Sequence, residues 1–474
     1  MTYALLSRLP CATVLAVAAL VGSAVMLPSQ RGVRALTTVG ASDVQISPNG
    51  NWVAFKTSSN GTSALGIIST VPNSKPSNLV VDKSLTNFIW APDSAGLYYQ
   101  IASTVNYIRS IGGTAKQITK ISGVNPRIYA PDSKDSFLIG TRSDSAGGNA
   151  IFTVPTDSSA FAKDILSSAA NFFAHVTLDP TDKKIAYTSQ LTQFPHAPIG
   201  IRAVDIDGKN DASMSGGTMP RAGVNVSLPR SLAWSDSGTT VLFVAVDTTK
   251  TTWEIMRVTT AGKPPVPMTL PKQHFQRLSV SRDMSLAVTM GLTFHGNIVP
   301  IVMPAKGGAR IPLEPETNWV FAGPPSIDSG GLKVAFGGYK AGTTGQRPEV
   351  QLIELDREIV VEPRPELKAQ LTFKLPLLFG ERGTLFLSTG LLPADPKKQL
   401  QVPGFTYGVA IDLNILFNLV SGVGKGPPLS FTATVPNDTA LIGFTVYLQG
   451  VRVRSTNPDK GDFTRYAELQ FFAN

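Results

Sequence analysis

Ile46-Ser-Pro-Asn-Gly-Asn-Trp-Val-Ala-Phe55 is a tight turn that runs straight into an apolar strand, and it decides the fold because it recurs. The further copies are Trp90-Ala-Pro-Asp-Ser-Ala-Gly-Leu-Tyr-Tyr99, Tyr129-Ala-Pro-Asp-Ser-Lys-Asp-Ser-Phe-Leu138 and Leu178-Asp-Pro-Thr-Asp-Lys-Lys-Ile-Ala-Tyr187. Then come Trp234-Ser-Asp-Ser-Gly-Thr-Thr-Val-Leu-Phe243, Val280-Ser-Arg-Asp-Met-Ser-Leu-Ala-Val-Thr289 and Ile327-Asp-Ser-Gly-Gly-Leu-Lys-Val-Ala-Phe336. The steps between copies are 44, 39, 49, 56, 46 and 47 residues. A repeat of this length, made of strands and turns, predicts a β-propeller. Proline presets φ for the turn, Asp or Asn bonds local backbone N–H groups, and Gly accepts a positive φ. The strand after the turn is apolar because neighbouring blades cover both of its faces.

Each unit reads as four strands: a short inner strand, the apolar strand after the motif, an outward strand, and an edge strand beyond a Gly-rich hairpin. Trp253 to Val258, the turn Thr260-Ala-Gly-Lys263 and Val266 to Leu270 illustrate the outer half. Seven blades follow from seven copies, with six or eight open because the copies are degenerate. Trp90, Trp234 and Tyr129 precede their turns and are expected to pack between blades. The recurring acids Asp93, Asp132, Asp182, Asp236 and Asp283 are expected to form turns rather than a site. The aromatic-Ser-Pro-Asp-Gly…Ile-Ala-Phe unit resembles the repeat of TolB-like propellers and of the propeller domains of prolyl oligopeptidase relatives. That resemblance covers roughly residues 42–362. It implies the fold and leaves the function open, since propellers host many activities.

The expected division is a signal peptide or anchor at 1–35, the propeller at 36–362, a linker at 363–370 and a β-sandwich at 371–474. Arg8 precedes an uncharged apolar stretch running to Pro28, as in an export signal, with cleavage expected after Ala24 or after Ala35. An uncleaved anchor is the other reading of the same stretch. The one cysteine, Cys11, lies inside it, so disulfides and thiolate metal sites are not expected beyond it. The net charge is +9, and the basic residues are scattered without a long run, which argues against a nucleic-acid groove.

In the C-terminal part, strands are expected at Leu371–Phe379, Thr384–Thr389, Thr406–Asp412, Leu429–Val435, Ile442–Val453 and Ala467–Phe472. Turns are expected at Pro393–Pro396, Val435–Asp438 and Asn457–Gly461. Asn414 to Val420 is a helical turn or a further strand. Six or seven short strands in about 100 residues predict a sandwich. Pro403-Gly-Phe-Thr-Tyr-Gly408, Val435-Pro-Asn-Asp-Thr-Ala-Leu-Ile-Gly443, Val446-Tyr-Leu-Gln-Gly450 and Ala467-Glu-Leu-Gln-Phe471 resemble a small C-terminal domain of secreted bacterial proteins, notably from planctomycetes. The resemblance implies export and an accessory role.

No catalytic, cofactor-binding or metal-binding residue set emerges. A Gly-x-Ser-x-Gly elbow with downstream Asp and His, which a peptidase of the prolyl oligopeptidase type needs, does not occur. The histidines His175, His196, His274 and His295 are spread through the propeller and form no His-Glu-x-x-His motif. Asp205-Ile-Asp-Gly-Lys-Asn-Asp211 has the composition of a calcium loop but lacks its glutamate and spacing, so a hairpin turn is expected. The reading is an all-β, exported, non-enzymatic propeller that binds a protein or cell-envelope polymer at one face of its channel. It has no cofactor, no nucleic-acid partner and no membrane contact beyond the N-terminal segment. The alternative is a carbohydrate-active or carbohydrate-binding extracellular protein.

Overall fold

The computed structural model describes residues 33–472 apart from internal stretches, the longest being 192–199, 215–225 and 392–404. Seven antiparallel sheets follow one another along the first three-quarters of the chain. Blade 1 is Ser42–Ile46, Trp52–Ser59, Thr62–Ser69 and Ser77–Val81. Blade 2 runs from Leu85–Trp90 to Lys116–Lys120, blade 3 from Val124–Pro131 to Lys163–Ser168, and blade 4 from Asn171–Leu178 to Ala212–Ser213. Blade 5 is centred on Thr240–Asp247 and Thr252–Thr259, and blade 6 on Leu286–Leu292 and Ile298–Pro304. Blade 7 is centred on Lys333–Lys340 and Glu349–Glu354.

Every motif copy lies at the turn from the innermost to the second strand of a blade, as the repeat predicts. The turn has one backbone geometry throughout. Its first residue donates to the carbonyl five places on, as in Ser47 to Trp52 (2.8 Å), Asp179 to Lys184 (2.9 Å) and Asp328 to Lys333 (3.1 Å). The residue three places on takes a positive φ, from Met284 at 56° to Gly238 at 90°. Aligned this way, the third copy begins its turn at Asp132, two residues later than the written motif suggests: Asp132 donates to Phe137 at 3.0 Å.

The strand after the turn alternates between two blade interfaces. Val53 and Phe55 pack toward blade 7, while Ala54 faces blade 2. Ile185 and Tyr187 face blade 3, and Ala186 faces blade 5. The large residue thus fills the preceding interface and the small one permits close approach of the next blade. Phe55 lies opposite Gly66, where a β-carbon would stand 2.6 Å from the ring. In blade 3 the pair is exchanged: Gly140 faces Phe152, and the phenylalanine fills the same place from the neighbouring strand.

The ring closes through the N-terminus. Arg34–Thr37 is the outer strand of blade 7, paired with Glu349–Glu354 in the register Arg34 to Leu352 and Ala35 to Gln351. The fourth strand of blade 7 thus comes from before blade 1, not from the residues that follow Glu354. Blades 1 and 7 share a core of Val44, Phe55, Val350 and Leu352. The Ser231 hydroxyl donates to Leu278 O (2.8 Å) between blades 5 and 6, and Asp283 N to Ser329 O (3.2 Å) between blades 6 and 7.

A second compact unit comprises residues 365–474 with 357–361. Val360–Glu362, Gln370–Leu375 and Leu429–Thr434 form one sheet. Phe405–Thr406, Asn457–Phe463, Thr445–Arg454, Arg382–Ser388, Leu416–Val423 and Ala467–Gln470 form the other. Leu375 packs so closely over Gly383 and Gly450 of the larger sheet that a β-carbon at Gly450 would lie 2.6 Å from it. The two sheets therefore meet face to face, as in a sandwich. Leu416–Val423 resolves the choice left at Asn414–Val420 in favour of a strand. Asn457–Gly461, expected as a turn, lies in a strand with an irregular register against Thr445–Arg454. Its Gly461 and Asp462 are held from the other side by Phe405–Thr406, and this pairing overrides the local turn chemistry. Glu366–Ala369 hydrogen-bonds into this unit, with Leu367 N donating to Phe472 O (3.1 Å) and Lys368 N to Val435 O (3.0 Å). Pro393–Pro396 lies outside the described residues.

Candidate functional site

The innermost strands of the blades surround a channel, and two cavities open along it. The smaller, about 330 Å³, lies among the motif turns and is rimmed by Pro48, Pro92 and Pro180. The larger, about 980 Å³, lies at the start of the innermost strands. Gln45, Ile89 and Tyr129 line both and form the waist between them.

At the wide mouth the innermost strands are irregular in every blade. Register shifts occur between Ser42 and Gln45, Leu85 and Asn87, Val124 and Arg127, Ala174 and Thr177, and Gln276 and Leu278. In blades 5 and 7 the innermost strand is split into two pieces. A β-bulge turns a side chain away from the pleat, and bulges concentrate at rims and binding sites. Three bulge residues take left-handed backbone conformations, Asp43 (φ 48°), Asn125 (49°) and His175 (51°). All three line the wide cavity.

Tyr129 meets the expectation of packing between blades only in part. Trp90 and Trp234 do pack between blades: both are buried, and their indole N–H groups donate to Gln45 O (3.0 Å) and Thr177 O (3.2 Å) of the preceding blade. Tyr129 is only partly buried and packs at the margin of the core shared by blades 3 and 4; blade 3 begins its turn two residues later, so Pro131 takes the place that the tryptophans hold. A second register shift, between Ile128 and Ala130, leaves Tyr129 unpaired and half-buried at the waist. The Arg127 guanidinium stands 5.5 Å from its ring centre.

Several polar groups at the mouth are committed to the scaffold. The Gln45 amide donates to Phe88 O (2.8 Å) and that of Asn87 to Ile128 O (2.5 Å), joining successive blades. Arg142 pairs with Asp164 (2.8 Å) and donates to the Ser122 hydroxyl (2.8 Å). Arg127 and Asp43 are both exposed, and among the described residues neither enters an ion pair. Phe172, 47% exposed, adds an open aromatic face.

The motif acids serve the turns. Asp132 accepts from the Ser136 and Phe137 N–H groups (2.6 and 2.9 Å), and Asp93 and Asp283 from those of Ala95 and Ser285 (2.8 and 3.0 Å). Asp182 reaches across to blade 3 and accepts from Ser133 N (2.9 Å) and its hydroxyl. Asp236 lies outside the described residues. Asp179 and Asp328, not singled out from the sequence, cap their turns in the same way; Asp179 accepts from Lys183 and Lys184 N–H at 2.7 Å each. Beside these turns the Tyr98 hydroxyl donates to Asp135 (2.9 Å). Burial pushes the Asp135 carboxyl above its ordinary range, and Asp93 and Asp132 add to this, while the Tyr98 bond opposes it.

Asp205–Asp211 forms the hairpin turn expected. Asp205 N donates to Lys209 O (3.0 Å), Asp207 accepts from Lys209 N (3.0 Å), Asn210 donates to the Asp205 carboxylate (2.7 Å), and Asp211 pairs with Arg202 (2.9 Å). Among the described residues no group of three or more His, Cys, Asp or Glu side chains is placed to hold a metal ion. His196, His274 and His295 lie outside them. Nor is any helix there long and apolar enough to cross a membrane.

No family model matches the chain, and no curated protein is similar to it in sequence. Solved structures do resemble it. An oligogalacturonate lyase in complex with manganese is 14% identical, with a TM-score of 0.53 over 68% of this chain and 93% of that one. A TolB-type protein from Agrobacterium tumefaciens is 12% identical, with a TM-score of 0.40 over 59% and 94%. The propeller domain of the Trilobed protease from Pyrococcus furiosus is 10% identical, with a TM-score of 0.42 over 56% and 81%. At such identities the likeness concerns the fold alone. With the seven sheets it establishes the chain as an all-β protein whose residues 34–354 form a seven-bladed β-propeller.

Proposed function

We propose that this chain is an exported, non-enzymatic β-propeller that holds a protein or a cell-envelope polymer at the wide mouth of its channel. The observation that carries the reading is the irregularity of every innermost strand at that one mouth. It aims Asp43, Asn125 and His175 into a cavity of about 980 Å³, while the turns at the opposite end keep one regular geometry. A scaffold spends its irregularities where side chains must be presented. The charged–apolar N-terminal segment supports export.

Ring closure bears on how that segment is processed. Cleavage after Ala35 would cut through the strand that pairs with Glu349–Glu354, so cleavage after Ala24 is the one compatible with a closed ring. N-terminal sequencing of the exported protein tests this, and a chain beginning at Leu36 would contradict it.

Carbohydrate handling is the second reading, favoured by the exposed Phe172 ring at the mouth and the half-buried Tyr129 at its waist. Glycoside hydrolysis ordinarily needs two carboxyl groups across the bond. The described lining of the wide cavity supplies one, Asp43, so binding is the better form of this reading. The test is retention of envelope components on the immobilised protein, native and Tyr129→Ala. Loss of retention in the variant is expected; equal retention by both refutes a ligand at this mouth.

A further inference from the structure

We infer that the ligand of the wide mouth is an acidic glycan segment, a sugar chain bearing ring carboxylates; this rests on the mouth-binding reading above and names its ligand. The mouth presents two exposed, opposite charges that no other described side chain neutralises, Arg127 from blade 3 and Asp43 from blade 1. The remaining basic side chain that lines it, Arg142, is already neutralised by Asp164 at 2.8 Å. His175 of blade 4 and Tyr129 of blade 3 are the other titratable groups among its described lining.

A guanidinium with spare donors accepts a carboxylate in a two-pronged bond. A carboxylate with spare lone pairs wants donors, and an anionic ligand must supply them without carrying a cation. Sugars do this: adjacent hydroxyls donate to Asp43 while a ring carboxylate accepts from Arg127. An acidic peptide offers Arg127 the same group, but its side chains bring Asp43 only repulsion. The aromatic faces agree with the glycan. Phe172, 47% exposed, is a flat apolar surface onto which the C–H face of a sugar ring can be laid, and the half-buried Tyr129 lies beside Arg127 at the waist. The left-handed backbone at Asp43 sets it out of the pleat at the lining of the cavity.

The test is calorimetric titration of the full-length protein with three probes of equal length: tetramannuronate, maltotetraose and tetraglutamate. Tetramannuronate is expected to bind at least tenfold more tightly than either of the others. Arg127→Gln should weaken it at least tenfold, equivalent to about 1.4 kcal/mol, and erase the preference over maltotetraose. Asp43→Asn should weaken both sugars and leave tetraglutamate unchanged or improved. Both side chains are exposed, so the melting temperatures should not move, and this separates lost binding from lost folding. Preferential binding of tetraglutamate overturns the glycan assignment while leaving a mouth ligand in place. Equal binding of the two sugars overturns the role given to Arg127. Failure of all three probes, with envelope retention still dependent on Tyr129, overturns the glycan and keeps the mouth. Failure of both overturns the two readings together.

Discussion

Removing Arg34–Thr37 should unlatch the ring. This strand is the fourth of blade 7, paired through Arg34, Ala35 and Thr37 with Leu352, Gln351 and Val350. Thr37 is buried, Leu36 packs against the core shared by blades 1 and 7, and the Arg34 guanidinium donates to Thr70 O of blade 1 at 2.5 Å. The backbone and guanidinium bonds contribute about 1 kcal/mol each net. Partial burial of Leu36 adds about 1 kcal/mol, and the exposed Arg34–Glu354 pair at 3.8 Å adds little. The loss is then about 3–5 kcal/mol, a large part of a typical folding free energy of roughly 5–15 kcal/mol. Urea titration of chains beginning at Gly32 and at Val39 measures it. With a slope of roughly 3 kcal/mol/M for a unit of this size, the midpoint should fall by about 1–2 M. Coincident midpoints would refute closure by this strand and return blade 7 to an edge supplied by later residues.

The turn caps, the blade interfaces and the waist make separable predictions. Asp179→Ala removes acceptors used by Lys183 N, Lys184 N and Thr181 inside a buried turn and should cost about 2–4 kcal/mol by urea titration, while Asp179→Asn should cost less. Trp234→Ala should cost about 3–5 kcal/mol because it empties an interface and orphans Thr177 O. Tyr129→Ala, at a half-open bulge, should leave the melting temperature within a few degrees of native. Asp135→Asn should raise the melting temperature at pH 7: the folded carboxyl is held above its ordinary value, so its ionisation opposes folding as pH rises through the folded value. Asparagine keeps the acceptor for Tyr98 and tolerates φ 60°. The gain should vanish below the ordinary carboxylate value of 3.8, and a pH-independent difference would contradict its electrostatic origin.

The blades were legible because turn chemistry is local. Ser-Pro-Asn-Gly and its variants specify a turn within six residues, and Val53-Ala54-Phe55 announces a strand covered on both faces. The third copy shows the limit. Its Tyr-Ala-Pro-Asp resembles Trp-Ala-Pro-Asp of the second, yet the turn forms two residues later at Asp132, because Asp132 supplies the cap and the positive-φ position falls at Asp135. That slip leaves Tyr129 at the margin of an interface and at the waist, and Gly140, which faces Phe152 where blades 1, 2, 4, 5 and 7 put an aromatic, is the signal that could have revealed it. The wide mouth was not legible. A bulge is a mismatch between two strands, and nothing in Ser42-Asp-Val-Gln or Ala174-His-Val-Thr alone marks where the register breaks. The closing strand was hidden for a similar reason: Arg34–Thr37 is short, and its partner lies some three hundred residues away.

Ligand held at the wide mouth should be within reach of side chains there and out of reach of the motif turns. A photo-crosslinking amino acid placed at Phe172 of the wide mouth, and separately at Pro92 of the narrow one, tests it in the native envelope. A discrete adduct that Arg127→Gln removes is expected from position 172, and none from position 92. An adduct from position 92 alone would contradict a ligand at the wide mouth; one from position 172 indifferent to Arg127 would keep the ligand there and remove Arg127 from holding it.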